Sequence, residues 1–91
     1  MGEKVLVTGG FGLVGSQTVR RLAADGHQVV ATDLGTPAQR KAARLLPVGV
    51  EARWVNLTDP NAVAALVTET APTVVIHLAA VIPPVIYAQA D

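Results

Sequence analysis

A cluster of glycines near the amino terminus is the segment whose residue types and spacing are best suited to chemistry. Residues 8–15 read TGGFGLVG, directly after the apolar residues 5–7 and before a helical pattern. Glycines on a strand-to-helix turn let a phosphate reach bare backbone N–H groups, and the positive end of the following helix favours its charge. The spacing of Gly10, Gly12 and Gly15 is typical of dinucleotide-binding turns, and Gly9 begins a second, overlapping pattern.

An acidic residue stands where a second strand is expected to end. Asp33 lies eighteen positions after Gly15, and the next cation along the chain is Arg40. A carboxylate at this place accepts hydrogen bonds from both hydroxyls of an adenosine ribose and repels a 2′-phosphate. Residues 36–39, TPAQ, have the form of a capping box that places Arg40 on a helix. The sequence therefore predicts NAD in preference to NADP, with a solvated loop acid as the alternative interpretation of Asp33.

Strand and helix patterns alternate along the chain and must position these residues. Gly26 predicts the end of the first helix. The expected strands are 4–8, 28–32, 51–55 and 73–78, and the expected helices are 13–24, 37–46 and 60–70. This alternation predicts a Rossmann-type, three-layer α/β fold with a parallel four-stranded sheet of order 3-2-1-4, helices on both faces, and a truncation after strand 4. Residues 74–76 are expected at the buried centre of strand 4, whose open edge would favour self-association.

Composition narrows the class of protein. The chain has 91 residues, which is one domain at most, with seven basic and seven acidic residues and no cysteine. The formal net charge of zero argues against nucleic acid or a membrane surface as a partner. The lack of cysteine excludes a disulfide scaffold and a thiolate metal site. No signal peptide or membrane-spanning run is present in the sequence, so we expect a cytoplasmic protein that binds no metal.

Two further motifs follow strands 3 and 4. Residues 56–59 read NLTD and residues 77–80 read HLAA. Together with the glycine turn and Asp33, they resemble the extended short-chain dehydrogenase/reductases of the sugar-nucleotide epimerase and dehydratase type. The resemblance covers nearly the whole chain, and it implies that residues 1–91 are the amino-terminal, NAD-binding part of such an oxidoreductase.

The resemblance also implies roles for individual residues. Backbone N–H groups around Gly12, Leu13 and Val14 would face the pyrophosphate, and Gly15 would let the first helix pack closely on the sheet. Asn56 stands where the family usually has Asp, and its side-chain oxygen would accept from the adenine amino group. The residues expected to bind the cofactor are Gly9, Gly12, Leu13, Val14, Gly15, Asp33, Leu34, Asn56, Leu57, Leu78, Ala79 and Ala80.

Other polar residues have structural interpretations. Asp59 is expected to cap the third helix, and His77 is expected to be a packed, hydrogen-bonded residue. His27 is interpreted as a plain residue at the start of a strand.

Residues 1–91 do not contain the family's catalytic pair, a tyrosine followed four positions later by lysine. Tyr87 is followed at that distance by Asp91. We therefore expect no catalysis from this chain alone, either because it is a fragment of a longer enzyme or because it is a minimal nucleotide-binding unit. The parent would act on a sugar nucleotide or another small carbonyl or alcohol. A non-catalytic sensor of redox state and a structural or engineered module are the alternatives.

Overall fold

The structure, a computed structural model, describes residues 2–78 and shows strands and helices in strict alternation. The elements are β1 Lys4–Thr8, α1 Leu13–Ala24, β2 Gln28–Asp33, α2 Pro37–Ala43, β3 Val50–Trp54, α3 Pro60–Thr70 and β4 Val74–His77. Each neighbouring strand pair is parallel, and the sheet order is β3-β2-β1-β4. The predicted fold class and strand order are therefore confirmed. Ala79, Ala80 and Tyr87 lie outside the described residues.

The core consists of two apolar clusters on opposite faces of the sheet. Side chains alternate between the two faces along each strand, so β1 and β2 contribute to both clusters. The first cluster contains Val5, Val7, Val19, Val29 and Ala31, and the second contains Leu6, Val30 and Leu66. Val19 comes from α1 and Leu66 from α3, so these helices cover opposite faces, and burying each side chain stabilises the fold by about 1.5–3 kcal/mol.

The end of α1 follows the sequence prediction. Gly26 has φ +90°, its N–H donates to Ala23 O at 3.1 Å, and His27 N–H donates to Leu22 O at 3.1 Å. A left-handed glycine with this pair of hydrogen bonds satisfies carbonyls that a helix end otherwise leaves unpaired. His27 precedes β2, and its Nδ1 accepts from Glu3 N–H at 2.9 Å.

The start of α2 is confirmed and its predicted end is wrong. Thr36 and Gln39 form the capping box. The α-helix ends at Ala43 instead of residue 46, because Leu45 and Leu46 donate to carbonyls three residues back, at 3.0 and 3.3 Å. The last turn is therefore wound more tightly than an α-helix.

The predicted burial of β4 is also wrong. Val74 is 39% exposed and Val75 is 53% exposed, and only Ile76 packs partly against the first cluster. Within residues 2–78, β4 is the edge of the sheet, and the buried parts of α1 and α3 lie over β1 and β2. An edge strand is buried only where a further element covers it. No helix among the described residues is long and apolar enough to cross a bilayer.

Candidate functional site

The segments that follow the four strands lie together at one edge of the sheet. Thr8 is paired in register with Thr32 and His77, and Asp33 is paired with Trp54. Parallel strands in register bring their carboxyl ends, and the residues that follow them, to the same edge. The glycine turn, Asp33, Asn56 and Leu78 therefore lie at one edge of the sheet and form one candidate site.

The glycine turn is packed tightly against β2. Gly9 has φ +69°, a value that favours glycine, and Gly10 N–H donates to Thr32 O at 3.2 Å. A Cβ added to Gly10 would lie 2.8 Å from the Ala31 Cβ. Gly10 is therefore required for close packing on β2, a role that the spacing of the glycines did not show.

Gly15 lets α1 approach the turn itself. A Cβ at Gly15 would lie 1.9 Å from Gly9 O and 3.0 Å from Gly10 Cα. The resemblance implied close packing of α1 on the sheet at this residue. The nearest atoms instead belong to the turn, so Gly15 fixes the position of the turn relative to the first residues of α1.

The amino end of α1 presents unpaired backbone donors. Gly12 is the N-cap without a side-chain cap, and the first turn of α1 contains no acidic residue. The first intrahelical bond runs from Ser16 N–H to Gly12 O at 2.8 Å. The N–H groups of Leu13, Val14 and Gly15 therefore precede it and have no partner within the helix. Such a helix end favours an anion.

Among residues 2–78, the surface around this helix end is open. Within that part of the chain, a Cβ added to Gly12 would meet only Gly9 O, at 3.5 Å, so space remains beside the bare backbone. Leu13 is 81% exposed and Val14 is 62% exposed. Exposed apolar side chains beside backbone N–H donors suit a ligand with both an anionic and an apolar part.

Asp33 is held towards the glycine turn. Its Oδ2 accepts from Phe11 N–H at 3.3 Å, and its Oδ1 accepts from Leu34 N–H at 3.0 Å. The residue is only partly exposed. The carboxylate is thus fixed by two backbone donors rather than freely solvated, and each oxygen keeps a lone pair for a further donor.

A group of side chains that the sequence did not predict surrounds the loop after Asp33. Gly35, at φ +86°, donates its N–H to Gln39 Oε1 at 2.8 Å and accepts at its carbonyl from Arg40 Nε at 2.8 Å. The Arg40 guanidinium carbon lies 5.2 Å from the ring centroid of Trp54, within the range of a cation–π contact. Trp54 in turn contacts Phe11, with ring centroids 4.9 Å apart.

Asn56 does not present the acceptor that the resemblance implies. Its Oδ1 accepts from Thr58 N–H at 3.0 Å and from Thr58 Oγ1 at 2.6 Å. These two hydrogen bonds occupy the lone pairs of the amide oxygen, which leaves the NH₂ group as a donor. Asp59 caps α3 as predicted, because its Oδ1 accepts from Asn61 and Ala62 N–H groups.

The end of β4 is tied to β1 through Thr8. His77 Nδ1 lies 2.6 Å from Thr8 Oγ1. Leu78 N–H lies within hydrogen-bond distance of both Thr8 oxygens, at 3.0 Å from the carbonyl and 3.1 Å from the hydroxyl. His77 is therefore hydrogen-bonded within the sheet, as predicted. The prediction that it is packed is wrong, because the residue is exposed at the end of the edge strand β4.

A charged network joins β3 to α3. Hydrogen bonds from Arg53 to Glu51 and then Glu69 raise the pKa of the Arg53 guanidinium above its ordinary value. Because these side chains are partly exposed, we expect a small contribution to stability.

Residues 5–88 match the family described as NAD dependent epimerase/dehydratase family. The chain belongs to this family. Among curated proteins, it is 45% identical over 76 residues to the 2′-dehydrokanamycin reductase of Streptomyces kanamyceticus, covering 82% of this chain and 20% of the relative. It is 38% identical over 82 residues to the dTDP-L-rhamnose 4-epimerase of Burkholderia thailandensis, covering 87% and 23%. The chain thus spans about a fifth to a quarter of these relatives.

Solved structures show the same fold. The Bordetella bronchiseptica enzyme WbmH in complex with NAD+ has a TM-score of 0.72 and 25% identity, covering 90% of this chain and 27% of WbmH. The UDP-glucose-4-epimerase of Stenotrophomonas maltophila, with bound NAD and formylated UDP-arabinopyranose, has a TM-score of 0.72 and 31% identity, covering 88% and 25%. Family membership and fold therefore agree with the resemblance drawn from the sequence.

Proposed function

We propose that the chain binds NAD at the carboxyl edge of its sheet, as the cofactor-binding part of an oxidoreductase. The observation that carries this proposal is the arrangement of Asp33 beside the open end of α1. Phe11, between the glycines, donates its N–H to the Asp33 carboxylate. An anion site and a ribose acceptor are thereby held at a fixed separation, which suits a dinucleotide.

The residues present fit the cofactor. The N–H groups of Leu13 and Val14 hold the pyrophosphate, with space beside Gly9 and Gly12 for its oxygens and with Gly15 keeping α1 in place. Asp33 accepts from the ribose hydroxyls, and its charge disfavours a 2′-phosphate. Leu34 is 63% exposed and is available to cover the ribose.

The remaining predicted contacts belong to the adenine and nicotinamide ends. Leu57 lines the adenine pocket, and the Asn56 NH₂ group donates to a ring nitrogen, since the amide oxygen is used by Thr58. Leu78, 37% exposed, lies on the nicotinamide side. Ala79 and Ala80 stay predictions there, as does the cytoplasmic location.

The whole protein is proposed to act on a sugar nucleotide or another small carbonyl or alcohol. The names of the relatives support this class, because they include epimerases for dTDP-L-rhamnose and UDP-arabinose. NAD, when bound, supplies hydride exchange with such a substrate. The described residues bind and orient the cofactor, and the acid–base groups are expected from a part of the protein outside residues 1–91.

Calorimetric titration of the chain with NAD tests the binding proposal. Asp33→Ala removes two charge-assisted hydrogen bonds to the ribose, so we expect about 10–100-fold weaker binding. Asp25→Ala is the matched control, because Asp25 pairs with Arg21 on the surface of α1 and should leave the affinity within about twofold. If the titration shows no heat of binding and no saturation with NAD at millimolar concentration, the proposal is wrong.

Self-association through the edge of β4 remains a separate proposal. It is supported by the exposure of Val74 and Val75, whose strand has a free edge among the described residues. Sedimentation velocity over a concentration series tests it, and Val75→Lys should shift any dimer to monomer, because a charge on an edge strand opposes pairing. A monomer at every concentration contradicts it.

A further inference from the structure

The charges of the chain are distributed unevenly over its two helical faces. The crossovers through α1 and α2 run in the same direction, from β1 to β2 to β3, so both helices lie on one face of the sheet. Neither helix contains an acidic residue, whereas α3, on the opposite face, contains Glu69 and no cation. The formal net charge of zero is therefore the sum of a basic side and an acidic side, and an anionic surface can still be attracted to the basic side.

Four cations lie where α1 and α2 end. Arg20 and Arg21 are near the end of α1, Lys41 is in the last turn of α2, and Arg44 is its C-cap. All four residues are exposed. Arg21 is paired with Asp25, but none of the ion pairs among residues 2–78 involves the other three cations. The carboxyl ends of helices favour cations, which explains their position and leaves their charge available.

Two exposed aliphatic side chains follow these cations. Leu45 is 74% exposed and Val48 is 101% exposed. Leu46 packs against the first apolar cluster, so its neighbour Leu45 is directed away from the sheet. The basic corner is defined by six residues, Arg20, Arg21, Lys41, Arg44, Leu45 and Val48. Because helices α1 and α2 run against the direction of the strands, this corner lies at the amino edge of the sheet, opposite the candidate site.

Val48 is held at the tip of a tight turn. Val50 N–H donates to Pro47 O at 3.3 Å, and Gly49 has φ +92°. This is the arrangement of a type II turn with Val48 at its first central position. A protruding aliphatic side chain can enter the headgroup region of a bilayer without a matching pocket, whereas a protein partner would have to supply one. Aliphatic side chains flanked by cations are typical of segments that bind anionic lipid interfaces.

We propose that the basic corner docks on an anionic lipid surface. Leu45 and Val48 enter the boundary between headgroups and acyl chains, and Arg20, Lys41 and Arg44 lie beside the anionic headgroups. The candidate site at the carboxyl edge of the sheet stays open to solvent in this orientation. The proposal goes beyond the proposed function and does not depend on it, because the two surfaces lie at opposite edges.

Flotation of the chain with extruded phosphatidylcholine vesicles, with and without about 30% phosphatidylserine, tests the proposal. Binding to the anionic vesicles should be at least about 10-fold stronger, and it should fall about 10-fold when the salt is raised from about 0.1 to about 0.5 M. Each cation near such a surface contributes about fivefold in affinity, so Lys41→Gln together with Arg44→Gln should weaken binding about 25-fold.

Two matched controls separate the basic corner from general effects. Val48→Ser should weaken binding about 5–10-fold. Val67→Ser removes the same side chain from α3, where Val67 is 41% exposed, and should change binding by no more than about twofold. Adding Glu69→Gln to Lys41→Gln restores the net charge to that of the unaltered chain, and it should not restore binding, because Glu69 lies on the opposite face.

Several results would overturn the inference. Equal binding to both kinds of vesicle removes the role of charge, and recovery on adding Glu69→Gln shows that only the net charge matters. Equal losses from Val48→Ser and Val67→Ser remove the role of the turn. If the chain binds no anionic vesicle at millimolar lipid but binds a poly-glutamate peptide in a salt-dependent way, the basic corner belongs to an acidic protein partner.

The vesicle and salt comparisons use the unaltered chain, so they decide the question even if a variant unfolds. NAD titration in the presence of anionic vesicles keeps the two proposals separate, because an affinity for NAD within about twofold of that in solution is expected when opposite edges are used. A chain that binds vesicles but not NAD contradicts only the proposed function. A chain that binds NAD but not vesicles contradicts only this inference.

Discussion

Substitution of Gly15 by alanine tests the role of close packing between α1 and the glycine turn. The added methyl carbon would lie 1.9 Å from Gly9 O and 2.8 Å from Gly9 C. Carbon and oxygen do not approach this closely without a bond, so helix and turn must separate by more than about 1 Å. The turn resists this movement, because Gly10 N–H is bonded to Thr32 O and Gly12 N–H to Gly9 O.

The expected loss of stability is about 3 kcal/mol. Overpacking at a site that cannot relax costs up to about 3 kcal/mol, and loss of one turn hydrogen bond adds about 1 kcal/mol. The higher helix propensity of alanine stabilises the folded variant by about 1 kcal/mol and offsets part of this loss. For a domain of 91 residues, this loss corresponds to a fall in Tm of about 12 °C or more.

Thermal and urea unfolding measure this loss, with Gly12→Ala as the matched control. Of the described residues, a Cβ at Gly12 meets only Gly9 O, at 3.5 Å. The φ of −76° at Gly12 suits any residue, so we expect a loss of about 0.7 kcal/mol from the weaker N-cap. Equal unfolding midpoints for the Gly12→Ala and Gly15→Ala variants would show that the turn moves freely. The account of Gly15 given above would then be wrong.

Variants at two further positions, Asn56 and Asp59, test neighbouring features of the site. Asn56→Asp should tighten NAD binding about 3–10-fold. The reason is that a carboxylate can accept from Thr58 with one oxygen and from the adenine amino group with the other. Unchanged or weaker NAD binding in calorimetry contradicts this prediction. Asp59→Ala should cost about 1 kcal/mol of stability through loss of the α3 cap, seen in urea unfolding, and Asp59→Ser should restore most of it. Equal midpoints for these two Asp59 variants would exclude a capping role.

Features with a local cause could be predicted from the sequence. The capping box at Thr36 and the cap at Asp59 depend on contacts within three residues, so the residue types alone indicate them. The sheet order followed from the alternation of elements and from the glycine turn after β1. The family match likewise agrees with the resemblance carried by four short motifs.

Features that depend on distant partners could not be predicted in this way. The Arg40 side chain donates to the Gly35 carbonyl and stacks on the indole of Trp54. Trp54 lies on β3, so the local sequence around Arg40 does not indicate this contact. The side-chain oxygen of Asn56 accepts two hydrogen bonds from Thr58. From the residue type alone, we expected this oxygen to accept from adenine. Val74 and Val75 are as apolar as core residues, yet their burial depends on what lies over an edge strand, which the local sequence does not specify.

The central place of β1 has a consequence for the order of folding. Lys4 of β1 is paired with Gln28 of β2, whereas Val5 of β1 is paired with Val74 of β4, which lies much further along the chain. Closing the longer loop costs about 1 kcal/mol more in chain entropy, and during synthesis β4 emerges long after β2. β1 is therefore an exposed edge strand until β4 has been made and pairs with it. It becomes the centre of the sheet only when Thr73 and Leu78 bond to its two ends, Lys4 and Thr8.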